Sequence, residues 1–220
     1  MRGYPVMKIW VCGLLLAAAG VTNAAAGTFP EPAIVQSPSQ WTLNVSYDQP
    51  QQITVKLPGE KEAKRFWYII LTLTNESSFT DAPFYPYCQL MTDTFQVVTA
   101  GKGVRKEVFD LIKLKHQGSY PFLECLDYVD NKILQGADNA VDVAIIWPDF
   151  DVQAKEVTIF IGGLSNETCA IGHPLKKDEN GKPEMVYLRK TLALKYGIGG
   201  DPRLRDSATL RFLDQTWVMR

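Results

Sequence analysis

Phe66-Trp67-Tyr68-Ile69-Ile70-Leu71-Thr72-Leu73-Thr74 is the stretch on which the fold turns. Successive side chains of a strand point to opposite faces. Trp67, Ile69, Leu71 and Leu73 therefore share one face, and Phe66, Tyr68 and Ile70 the other. A strand with one wet face alternates apolar and polar residues, whereas a strand apolar on both faces has to be covered on both. The run is predicted to be a central strand, ended by Asn75-Glu76-Ser77-Ser78.

Outward from it, the period is two. Trp41, Leu43, Val45 and Tyr47 alternate with Thr42, Asn44 and Ser46. Ile53, Val55 and Leu57 alternate with Gln52, Thr54 and Lys56, and Pro58-Gly59 breaks the chain. Further strands are predicted at Leu90 to Val98, at Val141 to Trp147 before Pro148, and at Val157 to Ile161 before Gly162-Gly163. Asp178-Glu179-Asn180-Gly181 reads as a tight turn, because Asn-Gly supplies positive φ angles. In the long strand after it, Val186, Leu188, Leu192, Leu194 and Tyr196 share one face. Tyr187, Arg189, Thr191 and Lys195 share the other, and Thr209 to Met219 is a final strand. About nine strands at this spacing predict two packed antiparallel sheets, with a closed barrel as the alternative. The 103–134 insertion is less regular. Val104, Val108, Leu111, Ile112 and Lys115 fit helical spacing, as do Phe122, Leu126, Val129 and Ile133, so one or two short helices are expected there. Val108 to Leu114 also fits a strand.

The chain of 220 residues begins with Arg2 and Lys8, an apolar run from Ile9 to Val21, and Ala24-Ala25-Ala26. These are the parts of a bacterial-type export signal, with cleavage expected before Gly27 and either Met1 or Met7 as initiator. The run is shorter than the roughly 20 residues that a bilayer core requires. The expected organisation is a signal peptide over 1–26, an extended tether over 27–40 carrying Pro30, Pro32 and Pro38, and one domain over 41–220. No later stretch looks able to span a membrane, so a periplasmic or extracellular location is expected. Removing Arg2 and Lys8 takes the net charge from −1 to −3, which leaves no basic excess to attract nucleic acid. Cys88, Cys125 and Cys169 would then sit where disulfides persist. Cys88–Cys125 is the favoured bridge and three free thiols the alternative, and the spacings match no compact zinc pattern.

No stretch assembles a catalytic set. Gly163-Leu164-Ser165-Asn166-Glu167 half matches the G-x-S-x-G elbow, but Glu167 stands where the second glycine belongs. His116 and His173 read as solvated loop side chains. Asp127 and Asp130, Asp138 and Asp142, and Asp149 and Asp151 form acidic loops that match no defined calcium loop. No metal and no cofactor is expected. Asn75 and Asn166 fit glycosylation acceptors by accident in a chain with a bacterial signal. The aromatic cluster Phe79, Phe84, Tyr85, Tyr87, Tyr120 and Phe122 carries more apolar surface than loops need. Phe84, Tyr85, Tyr87 and Tyr120 are the candidate binding residues, because exposed aromatics stack on sugar rings or fill a partner's pocket.

Three segments together resemble a known group. Phe66-Trp67-Tyr68 to Thr74-Asn75-Glu76, Pro83-Phe84-Tyr85-Pro86 to Leu90-Met91-Thr92-Asp93-Thr94, and Trp147-Pro148-Asp149-Phe150 to Gly162-Gly163-Leu164-Ser165 are similar to uncharacterised exported bacterial proteins with an immunoglobulin-like β-sandwich. That resemblance implies a mainly β, immunoglobulin-like antiparallel sandwich and brings no function with it. The expectation is a non-catalytic binding or structural domain of the cell envelope, with an envelope protein or a glycan as partner. A glycan-binding module using the loop aromatics and an enzyme of unrecognised type are the alternatives.

Overall fold

The computed structural model describes residues 29–220, without the side chains of 202–204. The expected export signal over 1–26 lies outside the described residues. In chain order the strands are β1 (Asn44–Tyr47), β2 (Gln51–Val55), β3 (Lys64–Thr74), β4 (Asp81–Pro83), β5 (Tyr87–Thr92) and β6 (Val97–Thr99). Helix α1 (Lys106–His116) follows, then β7 (Glu124–Cys125), β8 (Lys132–Leu134), β9 (Val141–Pro148) and β10 (Glu156–Gly162). β11 (Thr168–Lys177), β12 (Pro183–Ile198) and β13 (Leu210–Met219) complete the chain. The molecule is mainly β, with several separate sheets and one α-helix among the described residues, and no sheet closes into a barrel.

β3 is central, as its composition requires. β1 and β2 pair with successive halves of one edge, β9 pairs along the other, and β7 joins β9 in parallel. One face of β3 sends Trp67, Ile69, Leu71 and Leu73 into a core shared with Leu90 of β5, Ile159 and Ile161 of β10, and Leu192 and Leu194 of β12. Those residues belong to the second sheet, which is built on β12, β10, β5 and β6 with β13 on the far side of β12. The other face buries Phe66, Tyr68 and Ile70 beneath α1, whose Val108 and Ile112 are fully buried. The insertion therefore covers the outer face of the first sheet. Glu107 in the first helical turn and Lys113 and Lys115 in the last complement the helix dipole.

The second stretch of helical spacing, Phe122 to Ile133, is not a helix. Leu123 packs in the helix layer, whereas Leu126, Val129 and Ile133 pack towards the core between the sheets. The chain crosses from one layer to the other here, and an extended path through β7 and β8 spans that distance where a helix would not. Phe122 is left 83% exposed. The predicted turn at Asp178 to Gly181 is present, closed by the Gly181 N–H donating to the Asp178 carbonyl at 3.0 Å, with Gly181 at φ 77°. β12 outruns its neighbours. Its residues Leu192–Gly197 pair with β10, and β13 runs alongside as far as Lys190. From Arg189 back to Pro183 it pairs with β11 as a two-stranded ribbon.

Residues 29–40 contain neither helix nor strand. Ala33 is their anchor: its N–H donates to Glu167 Oε1 at 2.6 Å, and Glu167 Oε2 lies 2.9 Å from Lys190 Nζ with both side chains buried. Burial pushes the Glu167 carboxyl up, but the Ala33 N–H and Lys190 outweigh it and hold the group below its ordinary range.

Truncating Ile112 to Ala removes its contact with Phe66, Tyr68 and Ile70 and should cost about 2–5 kcal/mol. Leu114→Ala on the exposed side of α1 should stay within about 0.5 kcal/mol. Urea unfolding midpoints decide the matter, and equal losses at the two positions would refute the packing of α1 on β3.

Candidate binding site

The loop Phe84-Tyr85-Pro86-Tyr87 divides its aromatics between core and solvent. Phe84 turns inward and is buried, with its N–H donating to the Asn131 carbonyl at 2.7 Å. Tyr85 and Tyr87 point out, 65% and 57% exposed. The loop sits on the Gly162-Gly163 backbone. Gly162 is the register partner of Tyr87, and a Cβ there would lie 3.3 Å from the Tyr87 carbonyl oxygen. At Gly163 the constraint is stronger, since φ is +88° and a Cβ would fall 2.5 Å from the Tyr85 carbonyl oxygen. Only glycine meets both the left-handed angle and that approach.

The same pair opens a hollow in the outer face of the second sheet. Gly162 leaves a gap in the row of outward side chains, between Tyr87 on β5 and Thr191 on β12. Around it stand Tyr85, Phe160, Tyr187, Arg189 and Arg220, enclosing about 300 Å³. A second hollow of about 340 Å³ lies on the other side of Tyr85 and shares Tyr85, Gly163 and Arg189 with the first. Tyr187 is 70% exposed at the root of the ribbon. The Arg220 guanidinium lies 4.0 Å from the Phe160 ring centroid, and its Nη2 donates to Gln89 Oε1 at 2.8 Å. Arg189 and Arg220 exchange backbone hydrogen bonds of 2.7 and 3.0 Å, which fixes the two guanidinium stems side by side.

Of the residues singled out in the sequence, Tyr85 and Tyr87 meet here. Phe84 does not join them, because it fills the core between the sheets. Tyr120 does not either: it packs in the helix layer and donates its hydroxyl to Asp48 Oδ2 at 2.8 Å. Phe160, Tyr187, Arg189 and Arg220 complete the groove. Tyr187 and Arg189 share the outward face that β-alternation assigns them, but nothing local announces that β10 and β5 bring aromatics beside them.

Most of the remaining candidates have structural employment, and Asp130 and Asp138 are exposed. Ser165 is buried, donates to the Trp41 carbonyl at 2.8 Å and accepts from Thr42 Oγ1 at 2.9 Å. With Leu164 it joins the chain after the second sheet's β10 to the residues just before β1, so the half-matched elbow is part of the loop between β10 and β11. His173 Nδ1 accepts from the Leu175 and Lys176 N–H groups within the ribbon. Asp149 holds Trp67 and Arg65, Asp151 holds Thr94, and Asp142 accepts from Thr72. No group of three or more His, Cys, Asp or Glu side chains is placed to hold a metal among the described residues. Cys88, Cys125 and Cys169 are free thiols. Cys88 faces the core, where burial raises its thiol far above the ordinary range. Asn75 is fully buried, so it presents no glycosylation acceptor.

His116 is not a solvated loop residue. It ends α1, and its Nε2 lies 2.9 Å from the hydroxyl of buried Tyr68, which also accepts from Lys115 Nζ at 2.9 Å. Burial, then the Lys115 charge, lower the imidazole pKa below 6.5, against a smaller opposing pull from Asp48. A depressed folded-state value means that the neutral ring is the one the fold prefers. This stabilisation is complete above pH 6.5 and is lost as pH falls through the depressed value. The slope of stability against pH below 6.5 should therefore flatten in His116→Gln. Identical slopes in parent and variant would show that His116 does not carry it.

Comparison with protein-family models, with curated proteins and with solved structures finds no match.

Gly163→Ala should destabilise by at least about 1–2 kcal/mol from the left-handed angle alone, and should also displace the Tyr85 backbone. Gly181→Ala has a similar φ but nothing within 4 Å of the added Cβ. It should show the angular cost without a change in tyrosine fluorescence. Equal effects at the two sites would contradict the seating of the loop on Gly163.

Proposed function

We propose that the chain is an exported, non-catalytic binding domain of the bacterial cell envelope, built as an immunoglobulin-like antiparallel β-sandwich, with the Tyr85–Tyr87 groove as its binding site. One observation carries the reading: Tyr85, Tyr87 and Tyr187 stand exposed together around a hollow whose floor is kept open by glycine. Exposed aromatics are costly to leave in water without use, and clustered around a cavity they supply rigid contact area at little entropic cost. The polar groups of the hollow are the Thr191 hydroxyl, the tyrosine hydroxyls and two guanidinium groups, with no histidine or carboxylate in its wall to act as a general base at neutral pH. That favours binding over chemistry. Export is supported by Arg2, Lys8, the Ile9–Val21 run and Ala24-Ala25-Ala26. Among the described residues, no helix is long and apolar enough to cross a membrane.

Expressed at full length in a bacterial host, the protein should be recovered outside the cytoplasm with a mass beginning at Gly27. The purified product should co-sediment with isolated envelopes. Tyr85→Ala with Tyr87→Ala should weaken that binding by roughly tenfold or more, as removal of aromatic anchors does. A chain retained with residues 1–26 attached overturns export, and a double variant that sediments like the parent overturns the groove.

A further inference from the structure

We infer that the groove takes a carboxylate-bearing polysaccharide, a chain of uronic-acid type lying across Tyr85. The inference rests on the groove being the binding site and adds the class of ligand. Arg189 and Arg220 both line the first hollow, and Arg189 also lines the second. Neither hollow has an aspartate or glutamate side chain in its wall. Elsewhere among the described residues Arg65, Arg105 and Arg205 each face a carboxylate, at Asp149, Glu107 and Asp149 respectively, whereas exposed Arg211 on β13 is in no ion pair. Among the described residues no carboxylate side chain is paired with Arg189 or Arg220. These two arginines are set among aromatic rings, with no acidic side chain in the wall of either hollow to neutralise them.

The chemistry of that combination is specific. A guanidinium presents a planar fork of donors that matches a carboxylate two bonds at a time. The tyrosine rings offer flat faces to the C–H faces of a pyranose ring. Neutral sugars would use the rings and offer the arginines only hydroxyl acceptors, without the charge-assisted paired bonds of a carboxylate. The two hollows meet at Tyr85 and share Arg189, so a linear ligand that occupies one reaches the other. That geometry suits a polymer with a carboxylate on every unit better than a single small acid. An acidic peptide would satisfy the arginines, but it has no face to stack against tyrosines spaced along the groove.

The test is affinity electrophoresis and titration calorimetry of the exported protein with three probes: polygalacturonate, neutral dextran and polyglutamate. Binding to polygalacturonate alone is expected. It should weaken by roughly tenfold or more in Arg189→Gln, which loses a charged hydrogen-bond donor, and it should fall steeply with added salt. Arg220→Gln is the harsher variant because it also unstacks Phe160, so Arg189→Gln with an unchanged circular-dichroism spectrum is the deciding one. Equal retardation by dextran overturns the acidic class while keeping a glycan site. Equal binding of polyglutamate overturns the glycan in favour of an acidic protein. If no probe binds, yet Tyr85→Ala with Tyr87→Ala still abolishes envelope binding, this inference fails and the groove's assignment stands. If the tyrosine variant changes neither assay, both fail.

Discussion

Both faces of β3 are withdrawn from water, towards the second sheet on one side and towards α1 on the other, and the neighbouring elements are placed by that requirement. A fully buried large apolar side chain contributes roughly 1.5–3 kcal/mol. Summed over Phe66, Trp67, Tyr68, Ile69, Ile70, Leu71 and Leu73, that is comparable with the whole net stability of a domain, about 5–15 kcal/mol. Neither face of the strand can be left open. The insertion that carries α1 is thus a layer of the fold, and its crossing between layers through β7 and β8 follows from having to return to the core between the sheets.

The outer face of the second sheet has no such cover, and the groove lies there. Its shape comes from missing side chains as much as from present ones. Gly162 removes an outward side chain from the row between Tyr87 and Thr191, and Gly163 lets the Tyr85 backbone approach to a distance that a Cβ would forbid. The loop is seated by backbone contact, so its tyrosines need no packing partners of their own to stay in place. Their surroundings carry side-chain charge of one sign only, two guanidinium groups and no acidic side chain. The buried Glu167–Lys190 pair sits nearby on the opposite face of β12 and spends its charges internally, holding Ala33. Breaking such a pair from one side leaves an uncompensated buried charge, so it is suited to anchoring the N-terminal segment.

Much of the fold was legible in the order of residues. The apolar faces of β3, the alternation in β1, β10 and β12, and the Asn180-Gly181 turn are local properties, because a strand's period and a turn's φ angles are set within a few residues. The helix at Lys106–His116 was legible by spacing, and the same spacing misled at Phe122 to Ile133, where the path between layers overrides periodicity. Half of the groove was legible too: Tyr85 and Tyr87 stood out by composition. Phe84 and Tyr120 stood out for the same reason and lie elsewhere, because composition marks an aromatic but not the side to which it turns.

By itself the sequence determined where most of the long strands run, which side chains share a face in them, and that one strand must be covered twice; Leu90 to Val98, which reads as one strand, is two, β5 and β6. It also placed Tyr187, Arg189 and Thr191 on one face of their strand. Only the tertiary structure decided that Tyr87 pairs with Gly162, that β13 returns to set Arg220 beside Arg189, and that the insertion covers the first sheet and leaves the second open. The physical reason is range. Alternation depends on the geometry of one chain segment, whereas the groove depends on the registers of β5, β10, β12 and β13. Those registers are fixed by how the whole core packs, across residues far apart in the chain.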